Sequence, residues 1–138
     1  MFEMLKIDPD FIPCPAEEGD ELFPNGIFVF NVTRMIEYIQ ESDEVILEEV
    51  MINDINHHFS SINESHLDTV DISRPIILAE IAPGRYNLID GHHRLEKARR
   101  MGKESMQAYK MNVLQHVQFL TSKEAYQSYV EYWNNKLK

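Results

Sequence analysis

The chain has little cysteine, no long apolar run and a shortage of positive charge, and each lack excludes something. A single cysteine, Cys14, in 138 residues rules out an internal disulfide framework. It sits between Pro13 and Pro15 with Glu17 and Glu18 close by. Acidic neighbours disfavour a thiolate, so Cys14 reads as an unreactive loop or core residue. No apolar stretch approaches the roughly 20 residues that a membrane-spanning helix needs. The opening MFEMLKIDPDFIPCP lacks the basic start and apolar stretch of a secretory signal. There is no C-x-x-C or H-x-x-x-H pattern, and adjacent histidines such as His57-His58 and His92-His93 point in different directions, so no structural zinc or other metal site is expected. With 13 Lys+Arg against 23 Asp+Glu the net charge is −10, which is wrong for a long polyanion. The expectation is one cytoplasmic domain over residues 1–138, with ordinary hydrophobic content of 43% and no membrane association.

Punctuation divides the chain. Residues 8–26 hold Pro9, Pro13, Pro15, Pro24, Gly19 and Gly26 among Glu17, Glu18, Asp20 and Glu21, and read as an extended acidic arm or loop rather than a packed element. Residues 27–30 read as a short strand, and Asn31 or Thr33 can cap a helix over about 34–41. Residues 45–54 fit either a strand or a helix. Residues 55–73 are polar and suggest one or two helices with connecting loops. Ile76 to Ile81 is a strand, Pro83-Gly84 turns the chain, and Tyr86 to Ile89 is the second arm of a hairpin. Residues 107–111 suggest a further strand. Thr121-Ser122-Lys123-Glu124 has the spacing of a capping box, and Ala125, Tyr126, Tyr129, Val130, Trp133 and Leu137 then recur at helical spacing. That aromatic stripe is a core face of a helix over 121–137 rather than a stacking platform. The fold class is α+β, a small mixed sheet with flanking helices and an added C-terminal helix, its core spanning 46–112.

Most of the functional information lies in residues 88–102, LIDGHHRLEKARRMG. The apolar strand ends, Asp90-Gly91 turns the chain, and His92-His93-Arg94 opens a helix that Gly102 closes. A strand–Gly–helix junction leaves unpaired amides at the positive end of the helix dipole, an anion site. Two imidazoles and a guanidinium at that place suit phosphate. Residues 85–110 carry seven basic and three acidic residues, a window of +4, while the rest of the chain sums to −14. Such an island suggests a compact anionic ligand. Lys97, Arg99, Arg100 and Lys103 read more simply as a solvated helix face. Arg94 differs, because a cation in the first helical turn opposes the dipole unless an anion sits beside it.

RPIILAEIAPGRYNLIDGHHRLEKARRMG, within residues 74–112, resembles the core of the ParB/sulfiredoxin superfamily. Its members share a Pro-Ile strand, a second strand, a Gly-centred GHHR-like loop and a basic helix ending near glycine. The resemblance implies an α+β domain whose loop binds nucleotide phosphate through Gly91, His92, His93 and Arg94. ATP, ADP and CTP are not distinguished, and Mg²⁺ stays open. The sulfiredoxin loop has its nucleophilic cysteine where this chain has His92, which argues against that activity. Partition clamps carry a helix-turn-helix after this domain; here one terminal helix follows, so DNA is not expected as a partner.

Three chemistries compete. In the first, the domain binds a nucleotide and hydrolyses it or transfers its phosphoryl group, with His93 as phosphate donor or acid and Asp90 or Glu80 positioning Mg²⁺ or a nucleophile. Asp90 serves equally well as a turn or cap residue. In the second, a ParB-like nuclease uses His92 or His93 as base. In the third, a non-enzymatic adaptor keeps the fold and meets a basic protein partner through its acidic half. Residues 16–71 hold fourteen acidic residues and only Arg34 on the basic side.

Overall fold

Seven consecutive residues, 76–82, are buried along their whole length, and the fold is built on the strand they form. The computed structural model describes residues 2–25, 28–55 and 62–138. In chain order its first elements are β1 (Leu22–Asn25), β2 (Phe28–Asn31), α1 (Val32–Glu41), β3 (Ile46–Met51) and α2 (Glu64–Leu67). There follow β4 (Ile76–Ala82), β5 (Arg85–Asp90), α3 (His92–Arg100), β6 (Ser105–Met111), α4 (Val113–His116) and α5 (Lys123–Lys136). The class is α+β. No helix among the described residues is long and apolar enough to cross a membrane.

A four-stranded sheet runs in the order β3-β6-β4-β5. β4 pairs antiparallel with β5 and parallel with β6, and α3 makes the crossover between β5 and β6. Because side chains alternate along a strand, β4 feeds two cores. Ile77, Ala79 and Ile81 join Ile89 and Met111 against Phe30, Met35, Tyr129 and Trp133. Ile76 and Leu78 join Leu88, Met106 and Ala108 against Leu95 and Ala98 of α3. A strand buried on both faces shows as a continuous apolar run, which is what Ile76-Ile77-Leu78-Ala79 is. Burying a side chain such as Ile76 or Leu95 contributes about 1.5–3 kcal/mol.

Several expectations are met and several corrected. Residues 45–54, open between strand and helix, form β3 and then a 3-10 turn at Ile52–Asp54, because pairing with β6 decides an ambiguous local pattern. Asn31, not Thr33, caps α1, accepting from Arg34 N–H, while the Thr33 hydroxyl accepts from Glu21 N–H. The capping box at 121–124 is absent. Ser122 is the cap, accepting from Ala125 N–H, so Glu124 is one residue short of the reciprocal position, and Thr121 donates to Val29 O instead. A full box forms at Asn112 and Gln115 on α4, a helix too short to leave a periodic signal.

The arm over 8–26 is held down more firmly than a free loop. Its end forms β1, which pairs with β2 from Leu22↔Asn31 to Asn25↔Phe28. Upstream, the chain clasps α5. Leu5 N–H donates to Asn134 Oδ1 (2.7 Å) while Asn134 Nδ2 donates to Leu5 O (2.9 Å), and Trp133 Nε1 donates to Glu3 O (3.0 Å). Phe11 stacks on Tyr126 at 4.0 Å with the rings 6° apart. Cys14 N–H donates to Leu120 O, and burial pushes the thiol up, away from the reactive form.

Candidate functional site

Asp90 ends β5 and Gly91 begins α3 in a left-handed conformation, φ 104°. Only glycine fits. A Cβ would lie 2.6 Å from Ile76 Cγ2 and 2.9 Å from Arg94 Nη2, in a region that L side chains rarely adopt. Gly91 O accepts the first helical bond, from Leu95 N–H at 2.9 Å. Glycine has no side chain to offer as a cap, and the first turn carries no acidic residue. Lys97, Arg99 and Arg100 occupy the last turn, where cations suit the dipole.

The anion beside Arg94 is Asp90. Arg94 Nη2 donates to Asp90 Oδ2 at 3.1 Å and to Pro75 O at 3.2 Å, with both side chains largely buried. The guanidinium thus ties the helix start to the strand end and to the residue before β4. Glu80 is not brought to this place. It pairs with Tyr86, whereas Asp90 pairs with Ile77, so three strand positions, about 10 Å, separate them. The Glu80 carboxylate instead accepts from Gly84 N–H (3.0 Å) and Val113 N–H (3.2 Å), fastening the far turn of the hairpin to α4.

His92 and His93 do flank Gly91. The His92 ring stacks on Phe23 of β1, centroids 5.5 Å apart, so the hairpin of the arm lies over the junction. His93 Nε2 accepts from Asn63 N–H at 3.1 Å, which leaves its proton on Nδ1, and its ring meets His66 edge-on at 4.7 Å. The arm also delivers Glu21, whose carboxyl is pushed up by burial and by the charge of Asp90 and pulled back by Arg94. Reading the sequence gave Glu21 no role; it was one acid among four in a loop, and only the β1–β2 pairing carries it here.

The basic island is largely engaged within the protein. Glu96, nearly buried, accepts from Arg99 (2.6 Å) and Arg100 (2.7 Å), and Arg100 also reaches Glu64 of α2. Burial raises the Glu96 carboxyl, but the bonds from Arg100 and Arg99 outweigh it and hold the group below its ordinary range. Lys97 donates to Val70 O (3.0 Å), and Lys110 pairs with Glu48 across β3 and β6 (3.0 Å). With Arg94, five of the seven basic residues of the island thus have partners within the protein.

A second polar group lies inside the α5-facing core. Fully buried His116 contacts Glu80 O through Nε2 (2.6 Å), and the Tyr129 hydroxyl donates to the same oxygen (2.5 Å) and to Ile81 O (3.0 Å). Burial pushes His116 down to about 4, so the ring is neutral at pH 7, and raises the Tyr129 hydroxyl far above its usual range. A lone histidine in the stretch after residue 112 gave no sign of this in the sequence. Among the described residues no three His, Cys, Asp or Glu side chains converge as a metal-binding group, and His57 and His58 lie outside the described residues. No protein-family model matches the chain, and no curated protein matches it either.

Proposed function

We propose that this chain binds a nucleotide by its phosphates at the N-terminus of α3, in the manner that its resemblance to the ParB/sulfiredoxin superfamily implies. The observation that carries the reading is Gly91, a left-handed N-cap of α3 with no room for a side chain and none to cap the helix with. The positive end of a helix favours an anion, and His92 and His93 stand at this one. The local charge is mixed, with Asp90 and Glu21 facing the single guanidinium of Arg94. That mixture fits a magnesium–nucleotide better than bare phosphate, since Mg²⁺ is commonly held by one or two carboxylates together with substrate phosphates and water. Asp90 and Glu21 are the residues that would hold it. His93 is the side chain with which a proton could be exchanged at the phosphate.

The test is thermal-shift and calorimetric titration with ATP, ADP and CTP, each with and without Mg²⁺. A bound nucleotide at 100 times its dissociation constant adds about 2.7 kcal/mol of stability. His93→Ala is a cleaner variant than Arg94→Ala, because Arg94 is tied to Asp90 and Pro75 while His93 accepts one exposed amide bond and meets the edge of the His66 ring. Loss of a charge-assisted contact, about 1.5–3 kcal/mol, predicts binding weakened roughly 10- to 150-fold at unchanged stability of the free protein. Phosphate or diphosphate release measured on the same protein separates an enzyme from a binding module. If no nucleotide shifts the melting temperature, or if His93→Ala binds as well as the parent, the reading fails.

A further inference from the structure

The strand β3 is an edge, and its open side is unusual. Ile52 N–H donates to Glu104 O at 2.9 Å, one step past the Met51↔Ser105 pair. In an antiparallel ladder, bonded and non-bonded pairs alternate. Ile46, Glu48 and Val50 therefore bond to β6, and Leu47, Glu49 and Met51 turn their N–H and C=O groups outward. Among the described residues no strand pairs with them. Ile46 is 62% exposed, Leu47 51% and Met51 48%, so three large apolar side chains line this edge. Beside it lies a cavity of about 440 Å³ with Val50 and Leu78 in its wall and Glu48, Glu49, Asp54 and Lys110 also lining it.

We infer that β3 accepts an extended, basic segment of another protein as an added strand, with apolar residues against Leu47 and Met51 and a lysine or arginine opposite Glu49. An added strand gains main-chain hydrogen bonds at the edge, and alternate side chains give selectivity. Charge on an edge strand ordinarily guards against self-association, and here it discriminates between partners. Because outward residues must meet outward residues, the two antiparallel registers in which a second copy overlaps most of this strand centre on Glu48 and on Glu49. Either register sets a glutamate directly against its own counterpart, which is destabilising. A basic strand reverses the sign of that term. The cavity suits the same partner, since its apolar wall takes the stem of a long cationic side chain and its three carboxylates, against one lysine, take the head.

The experiment uses the full chain and two labelled peptides, one repeating Val-Thr-Lys-Thr, so that valine and lysine follow each other along one face, and one repeating Val-Thr-Glu-Thr. Fluorescence anisotropy should give the lysine peptide at least a tenfold advantage in affinity. Amide shifts should concentrate at Leu47, Glu49 and Met51 in nitrogen-15 spectra. Leu47→Pro removes one outward N–H while leaving the bonds to β6, and Glu49→Lys reverses the charge; each should weaken the lysine peptide about tenfold. Circular dichroism checks folding, and if Leu47→Pro unfolds the chain, Glu49→Lys decides. Equal affinity for both peptides, shifts centred on α3 instead of β3, or indifference to Glu49→Lys overturns the inference. So does a dimer in sedimentation that a substitution on β3 dissolves, because the edge would then belong to a second copy.

Discussion

At the scale of single residues, Gly91 and Arg94 were both singled out by the sequence, for reasons that the structure divides. Asp-Gly after an apolar run marks a turn, and the turn is there. What the sequence could not carry is the second reason for glycine, the Ile76 methyl waiting 2.6 Å from where a Cβ would stand. Gly91→Ala should therefore cost more than a backbone penalty. A left-handed L-residue costs about 1–2 kcal/mol and forced overpacking about 1–3 more. Urea unfolding should show a loss of roughly 2–5 kcal/mol; a loss well below 1 would mean that Ile76 yields freely. Arg94 was expected beside a phosphate, and in the fold it already has a carboxylate. A cation at a helix start does want an anion, but Asp90 supplies it from four residues upstream. Four residues apart within one helix would suggest such a pair. Across a strand, a left-handed glycine and a helix, no spacing rule gives the distance.

At the scale of elements, what could be read was what is periodic and long. The hairpin of β4 and β5, the helix α3, the strand β6 and the helix α5 all follow from runs of apolar residues with turn residues between them. β1 could not be read, because Pro24 and its glycine-rich surroundings mask a strand whose partner, β2, decides it. The surface of α3 was harder still. Its basic residues read as a solvated face, and Arg99 and Arg100, while about half exposed, also converge on the nearly buried Glu96. Glu96→Gln tests this. Two arginines would lose their carboxylate partner, and hydrogen bonds to charged groups are each worth about 1.5–3 kcal/mol. The expected loss is of that size, since Arg100 keeps Glu64. Hydrogen exchange should quicken in α2 and the last turn of α3 first. Unchanged exchange there, at unchanged stability, would show that the cluster is mere surface.

At the scale of the whole molecule, one group links the core to acidity. His116 is neutral in the fold, near a pKa of about 4, against an ordinary 6.5. Its contribution is complete above pH 6.5 and is lost as the pH falls from there toward 4, because the unfolded chain takes up the proton first. The gap bounds the effect at about 3 kcal/mol. His116→Gln keeps a donor able to reach Glu80 O and removes the titration. Unfolding free energies measured from pH 7.5 down to 4.5 should fall more steeply for the parent than for the variant. Parallel curves would place the acid sensitivity among the carboxylates alone.

The clasp between the segment around Leu5 and helix α5 joins residues 129 positions apart. On a ribosome adding roughly 5–20 residues per second, the segment waits on the order of ten seconds for the helix to be made. Throughout that interval Phe2, Leu5 and Phe11 have nothing of α5 to cover them, and Trp133 and Tyr126 do not yet exist. The acids that accompany them, Glu3, Asp8 and Asp10, keep the nascent stretch apart from its neighbours until then. The order of synthesis is thus the reverse of the order of docking: a part made early is fixed only once a part made late has folded.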